Sequence, residues 1–263
     1  MIVQTGRLST MEKCALVTGT TSGIGKATAQ ALAKAGFDLI ITGRREDRLE
    51  NLKSSLENEF KIRVFSLCFD VRDEAACENA FASIPEFFQN IWILVNNAGL
   101  ALGKEHIQEG STLDWNQMID TNIKGLLYMS RLTTNLMIKR GIPGHIVNLG
   151  SIAGLQPYEG GNVYCATKHA VHGLSCCMRQ DLMDKGIRVT EINPGMVETE
   201  FSTVRFHGDQ DKADAVYKGV KSLTGADIAS AILWAVTLPP HVQINQIVLT
   251  PTQQADSYYC CRK

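Results

Sequence analysis

The chain has 263 residues, of which 44% are hydrophobic and 20% charged, the proportions of a soluble globular protein with one sizeable core. Its 26 basic and 27 acidic residues nearly cancel, and without a long run of like charges neither a nucleic-acid footprint nor an acidic tail is indicated. No apolar stretch is long enough to span a membrane and MIVQTGRLST lacks the apolar core of a secretory signal, so the expected setting is the cytoplasm, with small molecules and further copies of the chain as partners.

Met11 opens MEKCALVTG, which runs straight into the first strand, so residues 1–10 are read as an upstream extension and 11–263 as one domain. The eight cysteines include no Cys-x-x-Cys, and the adjacent pairs Cys176-Cys177 and Cys260-Cys261 lack zinc spacing. They are read as reduced thiols, and with scattered histidines no metal site is expected.

In chain order, short apolar or β-branched runs at 14–18, 38–42, 63–69, 91–96, 144–150, 187–192 and 246–250 predict strands buried on both faces. Helical spacing fills 24–36, 45–59, 73–83, 113–140, 162–185 and 225–237. Regular alternation of the two predicts an α/β chain: a Rossmann-type, doubly wound, seven-stranded parallel sheet with helices on both faces. Residues 198–222 are charged and less periodic, an insertion expected to overhang the carboxyl ends of the strands, where such sheets bind ligands.

The first strand runs into TGTTSGIGKA, which sets Gly19, Gly23 and Gly25 between strand and helix. Glycines there allow a tight turn and close backbone approach, while free amides at the helix start attract a pyrophosphate. Thr21, Ser22 and Ile24 of the same turn are taken as further nucleotide contacts. The second strand ends in LIITGRRED: Gly43 stands where an NAD enzyme usually carries an acid, and Arg44 and Arg45 follow. Guanidinium groups without a carboxylate favour NADP(H), although Arg45 also reads as a solvated residue at the start of the next helix. Asp70 and Val71 follow the third strand, in reach of an adenine edge. NNAG, residues 96–99, ends the fourth, where Asn96 can brace the sheet and Asn97, Ala98 and Gly99 leave room for a flat ribose and nicotinamide.

A tyrosine stands four residues before a lysine three times: Tyr164 and Lys168, Tyr217 and Lys221, Tyr259 and Lys263. That spacing stacks two side chains on one helix face. Only the first pair follows a strand that ends in a serine, Ser151 in NLGSIAG. There a hydroxyl, a phenol and an ammonium converge near the expected nicotinamide, and the other two pairs are assigned to the insertion and the terminal tail. A phenol with pKa near ~10 is a poor base at neutral pH, so the reading requires Lys168 and the oxidised nicotinamide to pull it down. Ser151 would donate to the substrate oxygen, and Asn122 on the long fourth helix would hold a water behind Lys168 or satisfy a helix kink.

TGTTSGIG, the DV at 70, NNAG, Asn122, Ser151, YCATK and PGMVET together resemble the short-chain dehydrogenase/reductase family along nearly the whole chain. The resemblance implies that Tyr164 is the catalytic base, Ser151 the substrate-orienting hydroxyl, Lys168 the ribose contact and Asn122 the proton-relay element. It also implies that Pro194, Gly195, Val197 and Thr199 shape the nicotinamide pocket. NNAGLALG, PYEGGNVYCATK and EFSTVRFHGDQDKA are similar to NADP-dependent dehydrogenases of 3-hydroxy acids such as serine and allo-threonine, although PGMVETEFS is one residue shorter than in those enzymes. That likeness implies a β-hydroxy acid substrate, with Arg205 in the insertion as the partner of its carboxylate or as a solvated loop arginine. A ketone or diketone reductase of the same fold and a non-catalytic NADP-binding regulator stay open as alternatives. The helices at 113–140 and 162–185 are apolar over more than one face, so each is expected to bury a second face against another copy, and the resemblance implies a homotetramer.

Overall fold

The computed structural model describes residues 13–263, so the extension at 1–10 lies outside the described residues. Seven strands form one parallel sheet: β1 (Cys14–Val17), β2 (Asp38–Gly43), β3 (Val64–Cys68), β4 (Ile91–Asn96), β5 (His145–Leu149), β6 (Arg188–Pro194) and β7 (Gln246–Leu249). Their order is β3-β2-β1-β4-β5-β6-β7, and β1 pairs with both β2 and β4. The direction of winding therefore reverses beside β1, which opens a crevice at the carboxyl ends of β1 and β4.

The helices are α1 (Gly23–Lys34), α2 (Glu46–Phe60), α3 (Glu74–Ala82), α4 (Thr112–Ile119), α5 (Leu126–Arg140), α6 (Asn162–Leu182), α7 (Phe201–Arg205), α8 (Gln210–Tyr217) and α9 (Gly225–Thr237). Leu32, Leu49, Leu56, Ile228 and Ile232 from α1, α2 and α9 pack one face of the sheet. Cys77, Met129, Met137 and Leu182 from α3, α5 and α6 pack the other. Because both faces are covered, Leu16, Ile40, Leu94 and Ile146 are fully buried, as continuous apolar strand runs require.

Two departures from the sequence reading have local causes. The helix expected over 113–140 is broken by a π turn at Asp120–Gly125, which separates α4 from α5. A Cβ on Gly125 would lie 2.8 Å from Val71 Cγ2, so the wider turn brings glycine backbone against the loop after β3. The segment 198–222, read as weakly periodic, contains α7 and α8, which have five and eight residues. Helices that short give too few turns for an apolar period to register. Asp209 starts α8 by accepting the Lys212 amide at 3.1 Å, an N-cap.

The sheet also buries polar groups in pairs. Asn96 Nδ2 donates to Ser130 Oγ at 2.8 Å and to Asn148 Oδ1 at 2.9 Å, and Asn148 Nδ2 donates to Ser175 Oγ at 3.0 Å. These bonds tie β4 and β5 to α5 and α6, so Asn96 braces the sheet through side chains in place of the expected bonds to backbone. His145 is a starker case. Thr190 Oγ1 donates to the Ile244 carbonyl, so His145 Nε2 carries the proton that it shares with Thr190 at 2.7 Å, and Nδ1 has no partner. Burial, reinforced by the Arg188 charge, holds its pKa down to about 3.

That buried imidazole makes stability depend on acid in a defined sense. Between the unfolded value near ~6.5 and the folded value the unfolded chain binds the extra proton, so stability falls as pH falls. His145→Gln should remove up to about 1.4 kcal/mol per pH unit from the slope of unfolding free energy between about pH 6 and about pH 4. Urea unfolding across that range measures it, and an unchanged slope would contradict the assignment.

Candidate active site

The crevice beside β1 opens into a cavity of about 690 Å³ at the carboxyl edge of the sheet. One wall is the turn between β1 and α1. Gly19 and Gly23 have φ of +69° and +53°, and a Cβ on Gly25 would lie 2.3 Å from both the Gly19 carbonyl oxygen and Asn97 Nδ2. Gly25 is thus the close-packing glycine and does not line the cavity, whereas Gly19, Thr21, Ser22, Gly23 and Ile24 do. Asn97 lines it as well, but its amide is committed to the backbone: Nδ2 donates to the Thr18 and Gly19 carbonyls at 2.8 and 3.0 Å. Thr18, which the sequence reading passed over, accepts the Asn97 and Ala98 amides at its hydroxyl, at 3.0 and 2.9 Å. Three small residues and two polar braces leave amide-lined space at a helix start, a cradle that fits a dinucleotide pyrophosphate.

Arg44, Arg45, Asp70 and Val71 line the far end. The two arginines differ. Arg44 is half-exposed and lies 3.6 Å from Asp70. Arg45, the residue read with most reserve, is held on several sides: Nε and Nη2 donate to Thr21 Oγ1 at 3.1 and 2.7 Å, Nη2 reaches Ser22 Oγ at 3.2 Å, and Nη1 meets Glu200 at 3.0 Å. Asp70 is engaged by Arg72 through its amide at 3.0 Å and its guanidinium at 2.6 Å. Those bonds outweigh burial and hold its carboxyl below the usual range. A side chain at Gly43, where NAD enzymes carry an acid, would have to displace the Thr21 methyl, since a Cβ there would lie 2.6 Å from Thr21 Cγ2.

Near the middle, Ala98 and Gly99 face the chemical groups. Ser151 ends the loop after β5, its amide bonded to Asn193 Oδ1 at 2.8 Å and its hydroxyl accepting the Ala153 amide at 3.1 Å. Tyr164 and Lys168 enter from the first turns of α6, and all three line the cavity with Pro194, Gly195, Val197 and Thr199. Thr199 packs on Gly23, 3.2 Å from where its Cβ would be, and its hydroxyl accepts the Phe201 amide at 3.2 Å. Lys168 Nζ donates to the Leu149 carbonyl at 2.7 Å. Burial lowers its pKa to about 8, against the opposing carboxylate of Glu191.

The phenol of Tyr164 is raised, chiefly by burial and by the neighbouring Tyr158, although the Ser151 hydroxyl and the Arg205 charge oppose this. The Lys168 ammonium, 6.0 Å from the Tyr164 ring centre and turned to Leu149, does not overcome it. Asn122 does not line the cavity. It sits in the π turn, where Oδ1 accepts the Leu100 amide at 2.8 Å and Nδ2 donates to the Leu100 carbonyl at 2.8 Å and to Thr167 Oγ1 at 3.0 Å. Its side chain ties the π turn to the loop after β4 and to α6.

The roof is α7 and α8. Arg205 lines the cavity with its guanidinium 5.5 Å from the Tyr158 ring centre and 5.8 Å from that of Tyr164. Nε donates to the Gly103 carbonyl at 3.1 Å, and buried Nη2 has no partner. Sequence reasoning missed the aromatic walls, Tyr158, Phe201, Phe206 and Tyr217. Tyr217, set aside with Lys221, lines the cavity with its hydroxyl spent on Ser202 at 2.6 Å and the Val197 carbonyl at 3.1 Å. The tail also arrives unannounced: Gln254 Oε1 accepts the Met196 amide at 2.8 Å beside Gly195.

Comparison with known proteins agrees with this architecture. Residues 13–210 match the short chain dehydrogenase family. A protein of Chromohalobacter salexigens named sulfoacetaldehyde reductase 2 is 45% identical over 249 residues, 95% of this chain and 98% of its own. An NADP-dependent 3-hydroxy acid dehydrogenase of Escherichia coli K12 is 47% identical over 241 residues, 91% of this chain and 95% of its own. The solved closed form of a serine dehydrogenase complexed with NADP+ superposes with a TM-score of 0.88 at 45% identity, covering 95% of this chain and 99% of the other. With the glycine turn, the serine-bearing loop and the tyrosine–lysine helix around one cavity, the chain belongs to the short-chain dehydrogenase family.

Proposed function

We propose that the protein is an NADP(H)-dependent oxidoreductase that interconverts small β-hydroxy acids and their 3-oxo forms. The observation that carries the substrate class is the buried, unpartnered Nη2 of Arg205 in a cavity walled by aromatic rings beside Ser151 and Tyr164. A buried guanidinium nitrogen without a partner is costly, and a substrate anion would supply the missing acceptor. NADP(H) is supported by Arg44 and Arg45 at the end of β2 and by a glycine, Gly43, where an NAD enzyme carries an acid. Thr21, Ser22 and Arg45 would meet the 2′-phosphate, the amides after Gly19 the pyrophosphate, and Asp70 the adenine end. The nicotinamide, when bound, accepts or gives the hydride.

The chain's own groups handle the proton. Ser151 donates to the substrate oxygen, and Tyr164 exchanges the hydroxyl proton with it. Lys168 stays cationic up to about pH 8 and adds positive charge beneath the site. The Tyr164 phenol, which burial raises, would give its proton to a carbonyl in reduction, and oxidation is favoured as pH rises because it releases a proton. Asn122, which the side-chain bonds to Leu100 and Thr167 hold in the π turn, would keep a water behind Lys168 and pass the proton outward.

Arg205 also supports a second reading. A guanidinium fork takes a sulfonate as readily as a carboxylate, and a relative named sulfoacetaldehyde reductase shares 45% of its residues with this chain. The intact Ser151, Tyr164 and Lys168 oppose a purely regulatory role. Exposed Leu127 and Ile138 on α5 and exposed Leu113 on α4 support contact with another copy through these helices, and the assembly we propose is a homotetramer in the cytoplasm. Light scattering should show four copies, and a monodisperse monomer would refute it.

Tyr164→Phe should lower kcat by about 10³-fold or more with NADP+ affinity within about threefold, because only the proton transfer is lost. Tyr217→Phe, which gives up one wall hydroxyl, should change kcat by less than about tenfold. NADPH absorbance and calorimetry read both, and an active Tyr164→Phe would overturn the mechanism. Arg205→Ala should raise KM for serine, allo-threonine or 3-hydroxyisobutyrate by about 30-fold or more, and KM for uncharged ketones only a few-fold. Equal losses would assign Arg205 to structure.

A further inference from the structure

Glu200 occupies a junction that the proton chemistry does not use. It is the residue before α7, and its carboxylate accepts from Arg45 Nη1 at 3.0 Å and from Arg48 Nη1 at 2.7 Å. Arg45 presents its other edge, Nε and Nη2, to the Thr21 and Ser22 hydroxyls of the glycine turn. One guanidinium therefore touches the nucleotide cradle on one side and the roof of the substrate cavity on the other. At the far end of α7, Arg205 is fixed to Gly103 through its Nε at 3.1 Å and through its carbonyl, which accepts the Gly103 amide at 2.9 Å. A five-residue helix held at both ends has little freedom, so whatever fixes Glu200 also helps to place Arg205.

We propose that Glu200 is a positioning residue for specificity, one that links recognition of the 2′-phosphate by Arg45 to the placing of the roof over the substrate. The inference rests on the NADP reading above. Hydroxyl oxygens are modest acceptors, and Arg45, Arg48 and Glu200 are all partly exposed, so the pairs alone stabilise the roof little. A phosphate dianion at the Nε and Nη2 edge is a charge-assisted acceptor and holds the guanidinium plane firmly. Nη1 then stays aimed at Glu200, and Arg48 supplies the second positive charge that keeps two anions compatible across one arginine. NAD offers nothing at that edge. Discrimination between the two dinucleotides is in this way expressed in the order of α7 as well as in nucleotide affinity.

Hydrogen–deuterium exchange over 199–206, in the full chain saturated with NADP+ or with NAD+, tests the link without turnover. In the unaltered protein NADP+ should slow exchange there at least about threefold more than NAD+. Glu200→Gln should abolish that difference while NADP+ still binds within about fivefold by calorimetry, and Arg48→Gln should reduce it. A difference that persists undiminished in Glu200→Gln would overturn the proposal. Failure of the NADP reading looks different, since the unaltered protein would then bind NAD+ and NADP+ equally in the same calorimetry.

Discussion

The site depends on how closely the turn after β1 can approach the end of β4. Asn97 has to donate to two carbonyls of that turn, at Thr18 and Gly19, while Thr18 accepts two amides from the end of β4. Any side chain at Gly25 would collide with the Gly19 carbonyl and the Asn97 amide. Once this contact is made, the amides at the start of α1 are unobstructed, and Ala98 and Gly99 become the floor of the cavity. The contact is possible because β1 and β4 are neighbours in the sheet, which is the reversal of winding seen in the strand order. Topology and chemistry are therefore joined through two glycines and an asparagine.

The second constraint is electrical. Glu191 is fully buried in β6, and its Oε2 accepts from His172 Nδ1 at 2.7 Å while Oε1 has no partner. Oε1 lies 2.7 Å from where a Gly150 Cβ would be, directly before Ser151. This negative charge faces Lys168, whose ammonium would otherwise be pushed further toward neutrality by burial. A neutral lysine would remove the positive charge beneath the cavity, so a carboxylate remote from substrate helps to keep the site cationic.

Much of this was legible in the sequence because the signals were repetitive or local. Seven buried strands and the glycine turn leave period and spacing that survive any tertiary detail, and YCATK could be separated from its two imitations by asking which followed a serine-bearing strand. Legibility failed where function rests on short or long-range structure. The α7 and α8 helices are too brief for a period, and the π turn around Asn122 reflects packing of Gly125 on Val71, 54 positions earlier. Gln254, far along the chain, touches Gly195 only because β7 returns the tail to the carboxyl edge of the sheet. Arg45 looked like a solvated helix start since its partners, Thr21 and Glu200, lie 24 and 155 positions away.

The direction of the Tyr164 shift reflects a balance between burial and the neighbouring polar and charged groups. A tyrosine–lysine pair on one helix face suggests an ammonium that ionises the phenol, yet here Lys168 is spent on the Leu149 carbonyl and burial prevails. Burial is opposed by the hydrogen bond from Ser151 and by the Arg205 charge in the roof. In the proposed reaction a base for oxidation would need further positive charge beside Tyr164, and the roof that brings Arg205 is itself held at Glu200 by Arg45 and Arg48. A protonated phenol spares the protein the cost of a buried, unpaired phenolate.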